Sequence, residues 1–157
     1  MFGEKYSASE LVSKGDVVSV SGTTVEEVFN SVCRQVKLPS GVTPEVLVKE
    51  LMDRENVLST AVGNGISIPH PRRPLVSNSD ESCVIVAYLK TPINMNAPDT
   101  KRVSAMFILL SASSQVHIKS LSSFAAIFRM EAFKKAFQLK LGKADLVKLL
   151  QKCEALS

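Results

Sequence analysis

The stretches Cys83-Val-Ile-Val-Ala-Tyr-Leu89 and Val103-Ser-Ala-Met-Phe-Ile-Leu-Leu110 are near-continuous apolar runs. A strand wetted on one face alternates apolar and polar residues, whereas a strand covered on both faces stays apolar throughout. Both runs therefore read as strands of a sheet with helices on either side. The segment between them, Thr91-Pro-Ile-Asn-Met-Asn-Ala-Pro98, reads as a loop.

Helix starts surround this centre. Ser7-Ala-Ser-Glu10 and Thr23-Thr-Val-Glu26 both have the spacing of a capping box, in which a hydroxyl and a carboxylate satisfy exposed backbone N–H groups. Asp16 to Gly22 reads as a short strand between them. Thr43-Pro44-Glu45 opens a further helix, with Thr as cap and Pro in the first helical position, ending near Asp53 to Glu55. After Ser111-Ala-Ser-Ser114, helical patterns run to about Phe128, from Glu131 to Leu139 and from Ala144 to Lys152. The expected fold is α/β, a single domain over residues 1–157, with a mixed β-sheet and helices packed on both faces.

Composition narrows the function classes. Hydrophobic residues make up 45% of the 157 and charged residues 22%, as in an ordinary globular chain. No apolar run approaches the roughly 20 residues that span a bilayer, so direct membrane insertion is not expected. The N-terminus lacks the basic-then-apolar layout of a secretory signal, and the expected location is cytoplasmic. Cys33, Cys83 and Cys153 are scattered and odd in number, which fits small buried hydrophobes better than disulfides or a zinc site. No metal or nucleotide motif appears, and no cofactor is expected. Residues 129–157 carry seven basic side chains against three acidic ones, which accounts for the whole net charge of +4. Nucleic-acid binding uses a denser stripe, so this tail reads as the solvated face of its helices.

Chemistry concentrates in one stretch. His70 ends Gly63-Asn-Gly-Ile-Ser-Ile-Pro-His70. The two glycines suit a tight loop, Ile66-Ser-Ile68 alternates like a short strand, and Pro69 stiffens the step before the histidine. A histidine at a strand end can have one ring nitrogen held by backbone and the other exposed, as a neutral nucleophile of fixed tautomer. His117 opens the helix after a buried strand, where N–H groups and the helix dipole suit an anion. It also borders an apolar face through Leu121 and Phe124, so a structural reading stays open for it. Arg54 by itself reads as a surface arginine complementing a helix C-terminus.

The segment Leu51-Met-Asp-Arg-Glu-Asn-Val-Leu-Ser-Thr-Ala-Val-Gly-Asn-Gly-Ile-Ser-Ile-Pro-His70 resembles the active-site signature of enzyme IIA of the fructose/mannitol class. That family belongs to the bacterial phosphoenolpyruvate-dependent phosphotransferase system, and the Gly-Asn-Gly form is most similar to its nitrogen-regulatory branch. Thr91-Pro-Ile93, the strand to Leu110 and the His117-to-Leu121 spacing fit as well. The resemblance implies that His70 accepts a phosphoryl group, that Arg54 neutralises it, and that His117 hydrogen-bonds near it. Asn64, Ser59 and Thr60 share the same loop and are candidate lining or support residues. The implied donor is an HPr-type carrier protein, and the implied acceptor is an enzyme IIB or a regulatory target. Pro71 stands where the family usually has glycine, which removes a backbone N–H just after the reactive residue, and Arg72-Arg73 make the loop basic. Two other classes compete: a binding module that is never phosphorylated, and a hydrolase using His70 and His117 as acid and base. The second is weakened by the lack of a Cys or carboxylate nucleophile arrangement in the motif.

Overall fold

The computed structural model describes residues 6–156. In chain order these form α1 (Ala8–Lys14), β1 (Val17–Val20), α2 (Val25–Gln35), α3 (Pro44–Glu55), β2 (Ala61–Gly63), β3 (Ile66–Ser67), β4 (Cys83–Ile93), β5 (Val103–Leu110), α4 (Ser114–Phe128), α5 (Glu131–Phe137) and α6 (Lys143–Leu156). The sheet has the order β1-β4-β5-β3-β2. It is mixed: β1 runs parallel to β4 and β3 parallel to β5, while the β4–β5 and β2–β3 pairs are antiparallel.

The two apolar runs are the central strands, and each feeds two cores. Along β4, Ile85, Ala87 and Leu89 face Val28, Phe29 and Val32 of α2 and Leu47 and Leu51 of α3. The alternate residues Val84, Val86 and Tyr88 join Leu11, Phe124, Leu146 and Leu150 on the opposite face, with Phe107 and Leu109 of β5. Helices thus cover both faces, which is why neither strand alternates in polarity. Each fully buried side chain of this kind contributes about 1.5–3 kcal/mol relative to exposure.

Several boundaries differ from the sequence reading. The cap of α2 is Thr24, whose hydroxyl accepts from the Glu27 N–H; the carboxylate of Glu27 then accepts from Thr23. Two adjacent threonines, each followed three residues on by a glutamate, make the register degenerate, and the fold takes the later pair. Strand β4 continues through Thr91 and Pro92 to Ile93, so the loop starts at Asn94. Pro92, which has no N–H to donate, falls where the pairing register shifts between Tyr88 and Ile93. The helix expected to reach Leu139 ends at Phe137, and α6 runs four residues past Lys152. Strand β2 was not foreseen. It forms because Asn64 and Gly65, with φ of 57° and 80°, make a two-residue hairpin turn that needs positive φ at both positions.

The three cysteines are free and buried. Burial pushes the Cys33 and Cys83 thiols up to about 11, so both are neutral and inert near pH 7. Of the seven basic residues of the tail, all but Lys134 are exposed.

Candidate functional site

The site is assembled at the C-terminal end of α3, where the chain turns into the β2–β3 hairpin. Thr43 caps α3 and Pro44 starts it, and the helix stops at Glu55. From its last turn, the Arg54 guanidinium donates to the carbonyl of Leu58. The neighbouring Glu55 carboxylate accepts from the Thr60 N–H at 2.8 Å and from the Thr60 hydroxyl at 2.6 Å. The Thr60 carbonyl accepts from the Ile68 N–H at 3.0 Å. The Ile68 carbonyl in turn lies 2.7 Å from Nδ1 of His70.

That last contact decides the chemistry of the ring. A carbonyl oxygen can only accept, so Nδ1 carries the proton and Nε2 keeps its lone pair. The step before it is fixed too, because the Leu109 N–H of the central strand donates to the Pro69 carbonyl at 2.9 Å. His70 is therefore a half-buried imidazole of set tautomer at the end of a short strand, as its place in the sequence implied.

His117 comes from the first turns of α4, a helix capped by the Ser113 hydroxyl. Its ring meets that of His70 edge-on, with centroids 4.6 Å apart at 63°. Burial pushes the His70 ring down to about 4; the nearby His117 and Arg54 add to this, and the Ile68 carbonyl opposes it. His117 is lowered as well, by burial and then by Arg54. Both rings are thus neutral at pH 7, while Arg54 supplies a fixed positive charge close enough to act on each. A neutral nucleophile beside a permanent cation suits an incoming dianion.

The remaining candidates separate by position. Thr60 is buried within the backbone support just described, and Ser59 braces the loop by donating to the Met95 carbonyl and accepting from the Ala61 N–H. Asn64 stands apart. Its N–H donates to Asp99 at 2.8 Å, in the hairpin turn before β3. The Gly65 carbonyl bonds to Ala105 and the Pro69 carbonyl to Leu109. Those partners are four residues apart on β5, so Asn64 and His70 lie at opposite ends of a span of roughly 13 Å. Pro71 is buried, while Arg72 and Arg73 are exposed, with Arg73 3.6 Å from Glu50. Sequence reasoning missed Glu55. Its only signal was a carboxylate at a helix end five residues before a buried threonine.

The mixed five-stranded sheet thus brings two histidine rings into contact near an arginine. The family model described as "Phosphoenolpyruvate-dependent sugar phosphotransferase system, EIIA 2" matches residues 10–153, and the chain belongs to that family. Among curated proteins it is similar to the nitrogen regulatory protein of Escherichia coli (strain K12), at 32% identity over 103 residues, covering 64% of this chain and 60% of that protein. The nitrogen regulatory protein of Pseudomonas aeruginosa matches at 32% over 105 residues, covering 66% and 64%. The matched region thus spans less than two thirds of these relatives. In fold it is similar to the nitrogen regulatory protein IIA-Ntr from Neisseria meningitidis, with a TM-score of 0.73 and 23% identity over 90% of this chain and 97% of that one. It is also similar to the IIA mannitol structure from Escherichia coli, with a TM-score of 0.65 and 18% identity over 86% and 95%.

Proposed function

We propose that this protein is a phosphocarrier that accepts a phosphoryl group on Nε2 of His70 from an HPr-type carrier protein. The observation that carries the reading is the Ile68 carbonyl on Nδ1, which leaves Nε2 as the free nucleophile. In the transfer, the Nε2 lone pair forms a bond to phosphorus as the bond from phosphorus to the donor's nitrogen breaks, and that nitrogen recovers its electron pair. No proton needs to move, since Nδ1–H stays on the Ile68 carbonyl. Such transfers depend on positioning and charge stabilisation. Arg54 supplies charge for a group carrying about −1.5 to −2, and the neutral His117 ring can donate its one N–H to a phosphoryl oxygen.

The output we infer is regulatory. The curated relatives bear the name of nitrogen regulatory proteins, and Gly63-Asn64-Gly65 resembles the loop form of that branch. A dianion at this site changes what can dock there, because burying it without a partner costs several kcal/mol. Transfer to an enzyme IIB is the second reading, supported by the fold shared with a mannitol IIA that has been seen in complex with phosphorylated enzyme IIB. The test is incubation with the carrier cascade, followed by capture of partners with each form. Acid-labile, alkali-stable label that disappears in folded His70→Ala, and a partner that discriminates the two forms, is the expected result. Unlabelled wild-type protein would leave a pure binding module. Fast transfer to a sugar IIB, with no discriminating partner, would replace regulation by transport.

A further inference from the structure

The rings of His70 and His117 meet edge-on with centroids 4.6 Å apart, so a charge placed on one acts on the other. Nδ1 of His70 is occupied by the Ile68 carbonyl at 2.7 Å, which leaves Nε2 to receive a phosphoryl group. Phosphorus bonded there stands one bond beyond the His70 ring. Whichever edges meet, the group lies inside the roughly 8 Å screening length of physiological salt from the His117 ring.

The surroundings of His117 set the sign of its response. Burial first and Arg54 second hold the ring below its ordinary 6.5, so it is neutral at pH 7. Arg54 acts from the end of α3 and His70 from the end of β3. Along the flanking chain, Arg72 after His70 and Lys119 on α4 are exposed cations. The carboxylate beside Arg54, that of Glu55, is spent on Thr60. In the free protein, then, burial and positive charge both keep a second proton off His117. A phosphoryl group of about −1.5 to −2 reverses the balance, because it outweighs the one guanidinium that opposes it. An opposite charge within about 4–6 Å moves a pKa by about one to three units, and the ring contact puts the group in or near that range.

We propose that His117 takes up a proton when His70 is phosphorylated, so that one imidazolium and one guanidinium together balance the bound dianion. The inference rests on the phosphocarrier reading and adds one proton to it. Nε2 of His70 bonds to phosphorus, the donor's nitrogen recovers its electron pair, and water supplies a proton to the free ring nitrogen of His117. Between the titration midpoints of the free and phosphorylated forms, the phosphorylated protein holds one more proton. Falling pH therefore favours acceptance and rising pH favours release, with no effect outside that window.

The test uses the full chain with ¹⁵N-labelled histidines, phosphorylated with potassium phosphoramidate and titrated by NMR from about pH 9 to about pH 6. The free protein should keep the neutral nitrogen pattern of His117 through most of this range. The phosphorylated protein should pass to the imidazolium pattern, with the midpoint raised by about one to three units, and hydrolysis of the phosphoryl group should restore the first pattern. A second readout removes the donor from the comparison. Wild type and His117→Gln, mixed with a catalytic amount of the carrier, share one phosphoryl pool. The wild-type share relative to the variant should grow as pH falls through the window, by up to about tenfold per pH unit. An imidazole that stays neutral in the phosphorylated protein, or a pH-independent ratio in the mixture, would overturn the proposal and leave the phosphocarrier reading standing. Absence of phosphate on His70 from either donor would overturn both.

Discussion

The titration of His70 gives the sharpest physical test of the site. Its ordinary value is 6.5, and in the folded chain it falls to about 4. Because the folded value is the lower one, the unfolded chain binds more protons between these limits. Stability linked to this ring is therefore complete above pH 6.5, is lost as pH falls through the window, and changes no further below about 4. The span corresponds to a ceiling of about 3 kcal/mol at 1.36 kcal/mol per pH unit. The ring is only half-buried, so screening by solvent reduces this to about 1–2 kcal/mol. The assay is urea denaturation of wild type and His70→Asn at steps from pH 7 to pH 4, with the ring carbon-bound protons followed by NMR in parallel. The two stability curves should converge as pH falls, and the His70 resonances should titrate well below those of an exposed histidine. A His70 ring titrating near 6.5, or parallel stability curves across the window, would refute the claim that the site holds this imidazole neutral.

Other consequences follow from the same contacts. Arg54→Ala should raise the titration points of both histidines, since its charge lowers each, and should shorten the lifetime of a phosphorylated His70; NMR titration and label decay read the two effects. Glu55→Gln weakens two charge-assisted hydrogen bonds to Thr60 and should cost about 1–2 kcal/mol by chemical denaturation. The same variant should show imidazole nitrogen shifts of a mixed His70 tautomer, which a merely destabilised helix end would not produce. Ser67 is wholly buried, and its hydroxyl has no hydrogen-bond partner among the described residues, so Ser67→Ala should stabilise the fold by roughly 1 kcal/mol, measured by urea denaturation.

The central strands were legible because burial on both faces writes itself as an unbroken apolar run. Most helix starts were legible because a Ser or Thr cap has a local mechanism. What stayed hidden depended on choices between equivalent local options or on distant contacts. The spacing of Thr23-Thr24 to Glu26-Glu27 cannot select a register. Ala61-Val-Gly63 is too short to show a period, although Asn64-Gly65 was a hairpin signal that the glycines alone did not reveal. In the site, His70 was marked by its own neighbourhood, and the held Nδ1 agrees with what that neighbourhood implied. His117 lies 47 residues further along the chain. Its approach to His70 is set by the parallel pairing of β3 with β5, which no local pattern records. Arg54 had a bland local reading, and only the family resemblance distinguished it. The Glu55–Thr60–Ile68 chain of hydrogen bonds is a product of the folded backbone and had no sequence signature of its own.

The proposed phosphoryl transfer depends on one nitrogen atom, Nε2 of His70. Protein labelled with ¹⁵N in its histidines, phosphorylated through the carrier cascade and examined by NMR for phosphorus–nitrogen coupling, tests it directly. The expected product is a single phosphohistidine at His70, bonded through Nε2, with Nδ1 still protonated. Phosphate on Nδ1 of His70, or on His117, would contradict it.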